Sequence, residues 1–135
     1  MRVLLATALG FGVGGVRSHV FTLKKALETK NHQVNIVYPP GVKTFTRLLI
    51  GMKALGNRDI ARIELTRWRA QKVYNQLITQ IDSFDILHAQ DALLPNYVSK
   101  DLPLVLTIHG PLSREAMMSG KGSPRYLQYL KEQEA

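Results

Sequence analysis

Apolar residues along this chain alternate between short unbroken runs and stripes at helical spacing. Arg2–Ala6 is an unbroken run and predicts a buried strand. Thr7–Gly15 follows as a loop holding Gly10, Gly12, Gly14 and Gly15. Val16, Val20, Leu23, Ala26 and Leu27 then keep helical spacing, so a helix is expected to about Lys30, with Lys24, Lys25 and Lys30 suiting its C-terminal half. Asn31-His32 marks the exit, and the β-branched run Gln33–Tyr38 is a strand stopped by Pro39-Pro40-Gly41. These residues form a βαβ unit, whose crossover is right-handed and whose strands are parallel. Residues 43–81 lack proline and read as helical. Ile60, Ile63, Ala70, Val73, Leu77 and Ile81 predict one long helix over Asp59–Ile81, whereas Gly51 and Gly56 weaken a helix over Thr44–Leu55. Asp85–Ala89 is a third strand, Asp91–Lys100 a short helix and Leu104–Ile108 a fourth strand, ended by His109-Gly110-Pro111. Pro124–Glu134 begins an amphipathic helix through Tyr126, Leu127 and Leu130. Strands reading as apolar runs between helices predict an α/β fold: a parallel sheet of about four strands covered on both faces. A final helix with no strand after it suggests a larger parent.

Composition narrows this picture. A length of 135 residues suits one domain, and 45% apolar residues exclude disorder. The absence of cysteine excludes a disulfide scaffold and any thiolate site. No apolar run approaches the ~18–20 residues of a membrane span, and residues 1–6 are too short for a secretory core, so a cytoplasmic location is expected. The net charge of +8 is concentrated. Lys43, Arg47, Lys53, Arg58, Arg62, Arg67, Arg69 and Lys72 face only Asp59 and Glu64, so this stretch carries +6 and the rest of the chain +2. Phe45, Trp68 and Tyr74 are too thinly spread for a nucleic-acid surface. Phe45, Leu48, Leu49, Ile50, Met52 and Leu55 beside Arg47 and Lys53 fit a helix lying on an anionic membrane, at its inner face. A plain solvated face is the other reading.

In an open parallel sheet, ligands bind beyond the carboxyl ends of the strands. Gly10, Gly12 and Gly15 there match G-x-G-x-x-G and lead from strand to helix, a setting in which backbone N–H groups reach a phosphate. A loop of about nine residues and the lack of an acidic residue after the second strand argue against NAD. His109, next to Gly110, is placed to face a ligand or to cap a turn. His88 lies inside a strand and reads as core. Asp91 reads as a helix N-cap before a ligand. His19, one turn into the first helix, faces the cleft or packs there. Metal spacings, the G-x-S-x-G elbow and the G-K-[ST] of a Walker motif are all missing, so neither a metal nor a bound cofactor is expected.

Three stretches together resemble a known family. Gly14-Gly15-Val16-Arg17-Ser18-His19-Val20 with Asn31-His32-Gln33-Val34, Asp85-Ile86-Leu87-His88-Ala89-Gln90-Asp91, and Val105-Leu106-Thr107-Ile108-His109-Gly110 are similar, in order and spacing, to retaining GT-B glycosyltransferases of family 4. The G-G-V-x-S-H segment is similar to that of phosphatidylinositol mannosyltransferase-like members. The resemblance implies a Rossmann-like, acceptor-side lobe of a two-lobed, metal-independent hexosyltransferase-like enzyme using a nucleotide-sugar donor, with the donor lobe and its paired glutamates beyond position 135. Such a lobe alone is expected to be inactive. By the same resemblance Gly12, Gly14 and Gly15 face the donor phosphates, His109 contacts the transferred sugar, and Arg17, Ser18, His19 and Asp91 border the acceptor. Lys43, Arg47, Lys53, Arg58 and Arg62 then suit a lipid-linked or anionic acceptor at a membrane. Two positions depart from the family pattern: Gln90 stands where many members have a second His, and Asn31 replaces a helix-ending Gly. The alternatives are a non-catalytic Rossmann-like module for a nucleotide or dinucleotide, and a basic module docking on membrane or RNA.

Overall fold

In the computed structural model the described residues are 1–9, 15–94, 102–120 and 122–135. Four strands, β1 (Arg2–Ala6), β2 (Gln33–Val37), β3 (Ile86–Ala89) and β4 (Leu104–Leu106), form one parallel sheet in the order β2-β1-β3-β4. Five helices accompany it: α1 (Gly15–Thr29), α2 (Thr44–Lys53), α3 (Arg58–Ile78), α4 (Leu112–Met118) and α5 (Pro124–Glu134).

β1 is central, and this is why it reads as an unbroken apolar run. Val3 and Leu5 point to one face and pack with Val20 of α1 and Val34. Leu4 and Ala6 point to the other and pack with Ala70, Val73 and Leu77 of α3, together with Leu87 and Ala89. Both faces of β1 are thus buried, as a parallel sheet requires. Arg2 and Asp85 pin the amino ends of β1 and β3 through a guanidinium–carboxylate contact of 2.7 Å.

Local signals explain most boundaries. Asn31 ends α1 in the left-handed region, at φ 61°, where its short polar side chain substitutes for glycine. Asn57 caps α3 by accepting from the Asp59 and Ile60 amides. Ser123 caps α5, with Pro124 in the first turn.

Several expectations need correction. The long helix over Asp59–Ile81 stops at Ile78, where the Gln80 amide bonds to Leu77 instead of continuing the ladder, and Ile81–Ser83 is a separate 3₁₀ turn. The fourth strand ends at Leu106; the Thr107 amide makes one more rung to Ala89, and the chain then leaves the sheet. Helix α4 was not anticipated. Of the helix expected over Asp91–Lys100, the described residues are Asp91–Leu94, which form bends and turns; positions 95–100 lie outside the described residues. Nor is the sheet covered evenly. β4 is its edge strand, and Leu104, Val105 and Leu106 are each about two-fifths exposed.

Candidate active site at the carboxyl ends of the strands

The ends of β1, β3 and β4 converge, and the amino end of α1 opens beside them. The root of the glycine loop is held by Asp91. Its Oδ2 accepts from the Thr7 hydroxyl at 2.7 Å and the Ala8 amide at 2.8 Å, with the Leu9 amide at 3.4 Å. Its Oδ1 accepts from the Leu93 amide at 3.1 Å. The carboxylate is buried, and burial raises its pKa; the bonds from Thr7, Ala8, Leu93 and Leu9 pull the other way. Asp91 therefore joins the segment after β1 to the segment after β3; its bond from the amide two residues on is the one an N-cap makes, and positions 95–100 of the helix expected there lie outside the described residues. Gly12 and Gly14 lie outside the described residues. Gly15 is the first described residue of α1.

His109 and His19 meet edge to face, with ring centroids 4.7 Å apart. His109 Nε2 is 3.1 Å from Gln90 Oε1. Gln90 is fully buried, and its amide nitrogen has no hydrogen-bond partner among the described residues, an unusual state for a buried donor. Below this pair His88 Nε2 bonds the Thr107 hydroxyl at 2.7 Å. His88 is half-buried, so it is not sealed in the core.

Both His88 and His109 are held below the usual histidine pKa, first by desolvation and then by neighbouring imidazoles, those of His19 and His109 for His88 and that of His19 for His109. For His109, Asp91 and Glu115 act in the opposite direction. The result favours neutral rings, which offer one donor and one acceptor nitrogen each. Among the described residues no group of His, Asp or Glu is arranged as a metal-ligand set.

The remaining sequence candidates divide. His19 joins the cluster. Arg17 is exposed and turns its guanidinium over the Phe21 ring at 5.8 Å. Ser18 is exposed on α1. Lys43, Arg47, Lys53 and Arg58 are exposed on or beside α2, away from the histidines in sequence and element, whereas half-buried Arg62 lines a cleft. Thr7, Gln90 and Glu115 were not singled out as site residues. Gln90 carried the one available signal, its position in the strand-end motif.

A family model, Glycosyltransferase Family 4, matches residues 13–134. The chain belongs to Glycosyltransferase Family 4. Its four-stranded parallel sheet with flanking helices is the Rossmann-like α/β architecture expected of a GT-B lobe, and it is a glycosyltransferase-type domain. Comparison with curated proteins and with solved structures gave no match. Among the described residues, no helix of this family 4 domain is long and apolar enough to cross a membrane.

Proposed function

We propose that this family 4 domain is the acceptor-side lobe of a retaining transferase that moves a sugar from a nucleotide-sugar to an acceptor hydroxyl. The observation that carries the reading is the His19–His109–Gln90 cluster beside the amino end of α1, where β1, β3 and β4 end together. In such a transfer the bond from the anomeric carbon to the diphosphate oxygen breaks as the bond to the acceptor oxygen forms, and the acceptor proton leaves with the diphosphate. Negative charge grows on the leaving oxygen, so N–H donors at a helix amino end suit it. Neutral His109 suits a sugar hydroxyl better than an imidazolium: with Nε2–H donating to Gln90 Oε1, Nδ1 is left to accept from that hydroxyl, which an imidazolium could not do.

The same reading gives α2 a role. Phe45, Leu48, Leu49 and Met52 fall on one stripe at i, i+3, i+4 and i+7, and all four are exposed. Leu55 is 93% exposed just beyond, in a left-handed turn with Gly56. No acidic residue lies between Val42 and Asn57, whereas Lys43, Arg47 and Lys53 flank the stripe. An apolar face rimmed by cations matches the outer surface of an anionic bilayer.

The test is a backbone-amide NMR titration of the chain with a nucleotide-sugar. Shifts at Gly15, His19 and His109 are expected, and silence at all three refutes the reading. In the complete enzyme, His109→Ala is expected to lower turnover by at least about tenfold, the effect of losing about 1.4 kcal/mol of transition-state contact.

A further inference from the structure

The cations of residues 43–72 do not act together. Lys43, Arg47 and Lys53 belong to α2. On α3, Arg67 stands over the Tyr129 ring at 5.4 Å with Glu64 at 3.3 Å, and Lys72 stands over Trp68 at 5.8 Å. Arg62, Thr66 and Arg69 form a separate stripe of the same helix, at i, i+4 and i+7. They make one wall of a cleft of about 660 Å³ whose other wall comes from α4 and α5. Arg62 lies 5.9 Å from the Tyr126 ring across this cleft and 4.0 Å from the Asp59 carboxylate. Arg69 is half-buried, yet it makes no ion pair among the described residues. An arginine held partly out of water without a carboxylate is a site prepared for an anion.

The cleft adjoins two other cavities. Leu9, Leu112 and Glu115 line both it and the small cavity that contains His109 and Gln90. Arg62 and Leu65 line both it and an apolar groove of about 220 Å³ between α2 and α3. The run is therefore polarised. Glu115 stands at the end shared with the histidines, Arg62 at the end shared with the hydrocarbon-lined groove, and Arg69 lines the cleft two turns along α3 from Arg62.

We propose that Arg62, Thr66 and Arg69 form a phosphate subsite for the acceptor, which the cleft orients with its reactive hydroxyl toward His109. This rests on the transfer reading for the word acceptor alone; the anion site itself stands on the arginines. Two guanidinium forks match the several oxygens of a phosphate, Thr66 lies between them with its hydroxyl donating to the Arg62 carbonyl at 2.9 Å, and the Glu115 carboxylate repels that group from the wrong end. The phosphate can belong to a soluble phosphomonoester or to a lipid headgroup, whose chain would then lie in the α2–α3 groove.

The proposal is tested by NMR titration of the chain with glycerol 3-phosphate, and separately with bicelles of phosphatidylcholine with or without phosphatidic acid. Arg62 and Arg69 Nε–H signals and the Tyr126 ring are expected to shift. Arg69→Gln is expected to weaken binding by about tenfold or more, the loss of one charge-assisted contact, whereas Arg67→Gln, the same charge change on another stripe, changes it less than about twofold. A response to glycerol 3-phosphate assigns a soluble phosphomonoester, and a response only to phosphatidic acid assigns a lipid. Equal weakening by Arg69→Gln and Arg67→Gln overturns the subsite, as does a phosphate response confined to Gly15 and His109. Arg69-dependent phosphate binding with no nucleotide-sugar response at His19 and His109 would keep the subsite and remove the transfer reading.

Discussion

Replacing Asp91 by asparagine sets two physical effects of the site against each other. The side chain is 4% exposed, and its charge is costly there, because desolvation is the leading cause of its raised pKa. Asp91→Asn relieves that cost. Against it, an amide has one acceptor oxygen where the carboxylate has two. The better orientation keeps the oxygen toward the Thr7 hydroxyl and the Ala8 amide, at the present 2.7 and 2.8 Å. The NH₂ then faces the Leu93 amide, a donor against a donor at the position now spanned by 3.1 Å. Losing a hydrogen bond to a charged acceptor and stranding its donor costs about 1.5–3 kcal/mol, of which removal of the charge returns part. The expected net destabilisation is about 1–2 kcal/mol, or about 3–8 °C in Tm for a domain of this size.

Urea unfolding followed by circular dichroism reads it. The pH dependence has a definite sign. A carboxyl whose pKa rises on folding keeps a proton that the unfolded chain has released. Its contribution is therefore complete below the unfolded value near 3.8 and is lost as pH climbs through the folded value. The gap between wild type and Asp91→Asn should be widest in acid and narrower at pH 7. A variant as stable as wild type at pH 7, or more stable, would show that desolvation outweighs the clasp and refute the reasoning.

His109, followed through its ring protons, should titrate below the ordinary 6.5, and Glu115→Gln should lower the midpoint further, since Glu115 opposes the shift. An unchanged midpoint in that variant would show that Glu115 does not reach the ring. Asn31→Gly should leave thermal stability within about 1 kcal/mol of wild type, whereas Asn31→Val should cost about 1–2 kcal/mol for a β-branched residue at φ 61°. Leu48→Asp on the bare face of α2 should leave the circular dichroism spectrum unchanged. It should reduce co-sedimentation with anionic vesicles severalfold, and equal binding to neutral vesicles would refute electrostatic docking.

The β1-α1-β2 unit was legible almost residue by residue, because its signals are local: an apolar run, a helical stripe, and Asn31 at a left-handed exit. The less legible parts depend on distant partners. Helix α4 spans seven residues, and the carboxylate of Glu134 holds its first turn, accepting from the Ser113 amide at 2.9 Å and its hydroxyl at 2.6 Å. No pattern within residues 112–118 announces that support. β4 has the composition of a buried strand, but composition does not tell an edge position from a central one. In the site, His109 could be named from its place after a strand. Gln90 meets it from 19 residues away, and that pairing depends on the register of β3 with β4. His88 was misjudged for a related reason: its ring reaches across to Thr107 on the neighbouring strand.

The clasp between Thr7 and Asp91 joins residues 84 positions apart in the chain. Closing so long a loop costs entropy that the local β1-α1-β2 contacts do not, so this contact belongs to the late part of folding. An intermediate containing only the first unit would hold the glycine loop without its anchor, without β3, and without the Gln90–His109 contact. The Thr7–Asp91 clasp and the Gln90–His109 contact thus arrive together with β1–β3 pairing, and a half-folded chain has neither.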